Sequence, residues 1–131
     1  MLALAMGIDD LLEQARAGLD RMSPHQAASA IANGALMVDT RDYEQRRDHG
    51  LILGAVVIPR NVLEWRVDPS SGHQDAGVAA RRGPLIVMCQ QGYSSSLAAA
   101  TLQQLGVSDA TDLEGGFEGW VAAGLPVVPG P

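Results

Sequence analysis

A single cysteine, Cys89, stands in a chain of 131 residues. One thiol excludes an intramolecular disulfide, a cysteine-rich zinc site and a Cys-x-x-Cys redox pair. Histidine is nearly as scarce: His25, His49 and His73 lie far apart without ligand spacing, so neither a metal site nor a cofactor is expected. Positive charge is in deficit, with 9 basic against 15 acidic residues and a net charge of −6. That balance argues against general binding of nucleic acid or of an anionic membrane. It also means that any attraction for an anionic substrate must be local. Aromatic residues make up only 4% of the chain, so aliphatic and alanine side chains must fill the core. No apolar run approaches membrane-spanning length. The N-terminal Met1-Leu2-Ala3-Leu4-Ala5-Met6 is apolar, but it is short, lacks a basic flank and soon meets Asp9-Asp10. It does not read as a signal peptide. A cytoplasmic protein with a reduced thiol is expected.

What the chain does have is a core's worth of apolar residues, 47%, and a length that suits one domain. Its organising stretch is Gly83-Pro84-Leu85-Ile86-Val87-Met88-Cys89-Gln90-Gln91-Gly92-Tyr93-Ser94-Ser95-Ser96. Leu85 to Met88 is too short for a helix and reads as a strand buried on both faces. Cys89 closes it, a small polar loop follows, and the helical spacing of Leu97, Ala98, Thr101, Leu102 and Leu105 comes next. The ends of parallel strands are where α/β proteins place their sites. The following helix offers unpaired N–H groups and the positive end of its dipole, both of which favour a thiolate. A lone cysteine is commonly buried filling, but this strand–thiol–loop–helix context argues for a nucleophile. Gly92 lets the backbone curl around the sulfur, and Ser94 and Ser95 are natural caps for the helix.

Along the chain, helical spacing over 8–19 predicts an amphipathic helix on the outside of the domain. Ser23-Pro24 starts a second helix that Gly34 ends. Residues 35–39 read as a buried strand whose end, Asp39-Thr40-Arg41, lies on the site side of the sheet. Residues 42–47 read as a polar helical piece, 55–58 as a strand closed by Pro59, and 61–65 as a short helix. Residues 68–76 form a surface loop. A short helix at 78–82 leads to the central strand. Residues 110–113 form the last strand, and a terminal helix stops at Gly124. This β/α alternation implies a mostly parallel sheet with helices on both faces.

In this order the pieces resemble a rhodanese (sulfurtransferase) domain. Met22-Ser23-Pro24 resembles the family's entry into its first helix, and Val38-Asp39-Thr40-Arg41 its hydrophobic–Asp–x–Arg strand end. His49-Gly50-Leu51-Ile52-Leu53-Gly54-Ala55 with Pro59 resembles its G-H-I-x-G-A…P segment, with the histidine and glycine reversed. Cys89 to Ser95 resembles the active-site loop. Leu113-Glu114-Gly115-Gly116-Phe117-Glu118-Gly119-Trp120 with Gly124-Leu125-Pro126 resembles its C-terminal signature. The resemblance implies an α/β rhodanese-like fold: a central, mostly parallel five-stranded sheet with helices on both faces. It divides the chain into an N-terminal helical extension, residues 1–20, and the rhodanese-like domain, residues 21–131.

The resemblance also implies a reaction. The Cys89 thiolate would take sulfane sulfur from a donor such as thiosulfate and hand it from a persulfide to a thiol or cyanide acceptor, by covalent double displacement. Gln90, Gln91, Gly92, Tyr93, Ser94 and Ser95 would form the loop that stabilises the anionic sulfur, with Asp39 and Arg41 supporting it. Related cell-cycle phosphatases use a loop one residue longer that ends in arginine. Here the loop runs from Cys89 to Ser94 and contains no arginine. Many active relatives carry basic side chains where Gln90, Gln91 and Ser94 stand, so thiosulfate is expected to bind weakly, with a less charged or protein-bound donor favoured. The alternative that follows is a non-catalytic sulfur carrier or a redox-sensing binding module; an inactive structural domain is a third reading.

Overall fold

Four consecutive apolar residues, Leu85 to Met88, leave a strand no polar face to turn toward water, so it must be covered on both sides. In the computed structural model, which describes residues 5–131, they form the centre of a parallel sheet. The strands are β1 (Leu36–Asp39), β2 (Val56–Val57), β3 (Leu85–Met88) and β4 (Ala110–Asp112), in the spatial order β2-β1-β3-β4. Val38 lies opposite both Val56 and Val87, and Val87 opposite Asp112, with every pair parallel. Residues 1–4 of the apolar N-terminal stretch lie outside the described residues. Among the described residues no helix is long and apolar enough to cross a membrane.

The helices are α1 (Ile8–Ala17), α2 (Pro24–Ala32), α3 (Tyr43–His49), α4 (Leu63–Val67), α5 (Ala76–Ala79), α6 (Ser94–Gln104) and α7 (Gly116–Ala122), with a 3-10 turn at Arg60–Val62 leading into α4. Successive strand side chains point to opposite faces, and the core divides accordingly. Val38, Leu85 and Val87 pack with Leu63, Val67, Val78, Ala98, Ala99 and Leu102. Met37, Ile86 and Met88 pack on the other face with Ala27, Phe117 and Trp120. So α4, α5 and α6 cover one face, and α2 and α7 the other. α1 lies against α6 and buries Leu12. Trp65, by contrast, is exposed and belongs to neither core.

The sheet has four strands where five were expected. Beside β4 the chain pairs only once, Met22 with Leu113 in parallel. The Met22 N–H donates to the Asp112 carbonyl (3.0 Å), and the Glu114 N–H donates to the Met22 carbonyl (2.9 Å). Ser23 and Pro24 end the pairing there. Proline has no N–H to offer a ladder, and Pro24 opens α2 behind a capping box made by Ser23 and Gln26.

Because all four strands are parallel, their C-terminal ends share one edge of the sheet. Asp39-Thr40-Arg41 after β1, Pro59-Arg60 after β2 and Cys89 after β3 therefore emerge side by side. The stability of this frame rests on the two-faced core. Leu102→Ala, which empties a fully buried position on the α6 face, should lower unfolding free energy by about 3 kcal/mol, read from the midpoint shift in urea at unchanged slope.

Candidate active site

The loop after β3 must reverse direction within a few residues and still account for its peptide groups. Its carbonyls are tied on the outside. The Cys89 and Gln90 carbonyls accept from the N–H groups of Phe117 (2.9 Å) and Glu118 (3.0 Å), which are among the unpaired donors at the start of α7. The Gly92 carbonyl accepts from two guanidinium groups, Arg16 Nη2 (2.8 Å) and Arg21 Nη2 (3.0 Å). One backbone donor turns toward the sulfur: the Gly92 N–H donates to Cys89 Sγ at 3.1 Å.

Glycine is required where the two turns meet. Gly92 has φ +85°, and a Cβ there would come within 2.7 Å of the Gly115 nitrogen. Gly116 has φ +61°, and its Cβ would lie 2.5 Å from the Cys89 carbonyl oxygen. Glycine at 92 and at 116 thus lets the start of α7 seat against the loop.

α6 begins at Ser94 with Tyr93 as its boundary residue and no side-chain cap. Ser94 and Ser95 therefore do not cap the helix as expected. They are already helical, one and two positions past the boundary residue that a cap would occupy. Cys89 is 7% exposed. Burial, the largest single influence, pushes its thiol up. The hydroxyls of Ser95 and Ser94 and the N–H groups of Ser95 and Gly92 together outweigh burial and hold it below the ordinary thiol value.

Ser95 has one hydroxyl hydrogen and two claimants. Its Oγ donates to Asp112 Oδ2 at 2.8 Å. Asp112 is fully buried and also accepts from Ser96 Oγ (2.7 Å), Arg21 Nε (2.9 Å) and Arg21 Nη2 (3.2 Å). The carboxylate therefore stays satisfied when Ser95 turns its hydrogen to the thiolate. Arg16 Nε donates to Ser96 Oγ at 3.0 Å, which joins α1 to the same network.

On the other side, Arg41 and Asp39 form a buried bidentate pair (3.0 and 2.9 Å). Arg41 Nη2 also donates to the Gly50 carbonyl (2.7 Å), and Nη1 donates to Gln90 Oε1 (3.2 Å). The guanidinium stacks 4.0 Å from the centre of the Phe117 ring. Such a pair stabilises only if its remaining hydrogens are used, and here they fix Gln90. A pocket of about 250 Å³ opens over the sulfur. Cys89, Gln90, Gln91, Tyr93 and Ser94 line it from the loop, Thr40 and Arg41 from the end of β1, Gln45 from α3 and Arg60 from the turn after β2. Tyr93 is exposed at its rim, and Ser95 and Asp39 lie behind the wall.

Residues 23–123 match the Rhodanese-like domain family. The chain belongs to that family. It is similar to the thiosulfate sulfurtransferase GlpE of Ectopseudomonas mendocina, at 39% identity over 78% of this chain and 84% of the relative. It is also similar to GlpE of Pseudomonas paraeruginosa, at 37% identity over 76% of this chain and 82% of the relative. Among solved structures it resembles a protein of unknown function from Rhodopseudomonas palustris, described as a possible tyrosine phosphatase (TM-score 0.85, 28% identity, 97% of this chain and 98% of that one). It also resembles the human single-domain sulfurtransferase TSTD1 (TM-score 0.64, 25% identity, 78% and 95%).

The structure brings together every residue that the rhodanese-like pattern nominated, Cys89 to Ser95 with Asp39 and Arg41. Other contributors lie outside that pattern, among them Arg16, Arg21, Asp112 and Arg60. Two carried a readable signal. Asp112 is a carboxylate inside a buried strand, which demands partners. Arg60 directly follows a strand end on the site side of a parallel sheet. Arg16 and Arg21 carried none, because their target is a backbone carbonyl about seventy residues away.

If the serine hydroxyl helps hold the thiolate, Ser95→Ala will move the midpoint of Cys89 alkylation by iodoacetamide upward in pH. In the unaltered protein the rate should rise with pH and level off from a midpoint below about 8.5, the value of a free thiol. A midpoint that stays put in the variant assigns the effect to the N–H groups alone.

Proposed function

We propose that this chain is a sulfurtransferase that carries sulfane sulfur as a persulfide on Cys89. In the first half-reaction the Cys89 thiolate attacks the outer sulfur of a donor such as thiosulfate. The new S–S bond forms as the old one breaks, and its electron pair leaves with sulfite. In the second, an acceptor thiolate or cyanide attacks the outer persulfide sulfur, and the Cys89 thiolate is restored. The Cys89 thiolate opens the first step and is restored by the second, and the Gly92 N–H is already aimed at it, so little reorganisation accompanies the transfer. The observation that carries the reading is the Cys89 sulfur at the base of the pocket, accepting from the Gly92 N–H, in a chain whose relatives are named thiosulfate sulfurtransferase.

Phosphate-monoester chemistry finds less support. A dianionic phosphoryl group favours a forked donor within the loop, and residues 89–94 contain no arginine. The chemistry needs a reduced Cys89, which suits a cytoplasmic setting. Residues 1–20 read as an extension of the family domain, since the family match begins at residue 23 and α1 rests on α6. The donor is a small-molecule or protein-bound carrier of sulfane sulfur, and the acceptor is a thiol or cyanide.

The test is sulfur transfer from thiosulfate to cyanide, with intact mass recorded after the donor step. The unaltered protein should gain one sulfur atom and turn over, and Cys89→Ser should do neither. A persulfide without turnover would instead favour the sulfur-carrier reading, in which a partner supplies the acceptor. An unmodified Cys89 after exposure to several sulfane donors would sink both.

A further inference from the structure

Side-chain cations are missing from the loop that holds the sulfur, yet the first half-reaction gathers three negative charges at one place: one on the thiolate and two on a thiosulfate-like donor. Inward N–H groups serve the thiolate. Something else must face the donor's far end, which becomes the leaving anion. The parallel sheet sets the candidates, because only segments leaving the C-terminal ends of β1, β2 and β3 reach the pocket. Of the residues that line it, two are cationic, Arg41 and Arg60. Each nitrogen of the Arg41 side chain already has a protein acceptor, Asp39, Gly50 or Gln90. Arg16 and Arg21 donate to the Gly92 carbonyl and do not line the pocket.

Arg60 differs. Its side chain is 39% exposed, whereas Cys89 lies buried at the base of the same pocket. Its only partner among the described residues is Glu64, one turn along, and both carboxylate oxygens accept from the single nitrogen Nη1 (2.8 and 3.0 Å). Nε and Nη2 are left without a protein acceptor among the described residues. They form the edge of the guanidinium that accepts an oxyanion through two parallel hydrogen bonds. The Glu64 carboxylate holds the group in place and offsets part of its charge.

We propose that Arg60 is the specificity-determining residue of the pocket, which recognises the anionic end of the sulfur donor while Cys89 takes its outer sulfur. This assignment rests on the sulfurtransferase reading for its substrate, and it makes the preferred donor class small anionic sulfane compounds rather than neutral ones. The loop need not supply a cation, because the turn after β2 supplies one from outside it.

A pair of alkylating probes tests this without any sulfur transfer. Iodoacetate and iodoacetamide attack the same Cys89 thiolate, and only the first carries a charge. At low ionic strength Arg60→Ala should lower the ratio of the iodoacetate to the iodoacetamide rate by about tenfold, and added salt should shrink the difference. Arg60→Lys should restore most of the ratio. Glu64→Gln keeps an acceptor for Nη1 and removes the negative charge, so it should raise the ratio. With thiosulfate as donor, the Arg60→Ala loss should fall on KM rather than kcat. An unchanged ratio in Arg60→Ala would overturn the proposal. Equal slowing with both probes would overturn it too, by assigning Arg60 to the thiolate itself. Because the probes read only Cys89, failure of sulfur transfer and failure of anion recognition give separate results.

Discussion

The site depends on where the carbonyls of one short loop go. In residues 89–92 three carbonyl oxygens have dedicated donors outside the loop, which fix its path around the sulfur. Cys89 and Gln90 are met by the first N–H groups of α7, and Gly92 by two arginines. The loop path along which the Gly92 N–H reaches Cys89 Sγ is thus held from outside the loop. That explains why glycine opens α7: any Cβ at Gly116 would strike the Cys89 carbonyl and break the contact that orients it.

Two buried carboxylates carry the rest of the load, and they do so differently. Asp39 binds Arg41 bidentately and so turns a strand-end arginine into a rigid anchor for Gly50 and Gln90. Asp112 gathers Arg21, Ser95 and Ser96 behind the first turn of α6. Each buried charge is compensated by several hydrogen bonds, the condition under which burial is tolerable. Asp112 has a surplus of donors, so one of them, the Ser95 hydroxyl, is free to answer the sulfur when it ionises.

Much of this was legible before the chain was folded. The apolar run at Leu85 to Met88, the capping residues Ser23 and Pro24, and the turn glycines mark elements by local rules, and their order matches the rhodanese-like pattern. Cys89 is marked by its place at a strand end before a helix. The fifth strand was not legible. Its shortening to the single pair Met22 and Leu113 depends on how soon Pro24 turns the chain away. Nor does the pattern mark the helix boundary: α6 starts at Ser94 with Tyr93 before it, so both serines fall inside its first turn rather than capping it.

The alternation of strands and helices, the family pattern and the identity of the single thiol are set locally, because each is written in spacing and residue type within a few positions. Which cations serve the site is settled by long-range packing. The loop reads as uncharged, yet Arg16 and Arg21 come to its back from α1 and the segment after it, and Arg60 comes to its front from the end of β2. Arg60 arrives there because parallel strands place their C-terminal ends on one edge, and Arg16 because α1 packs on α6; no local pattern records either meeting.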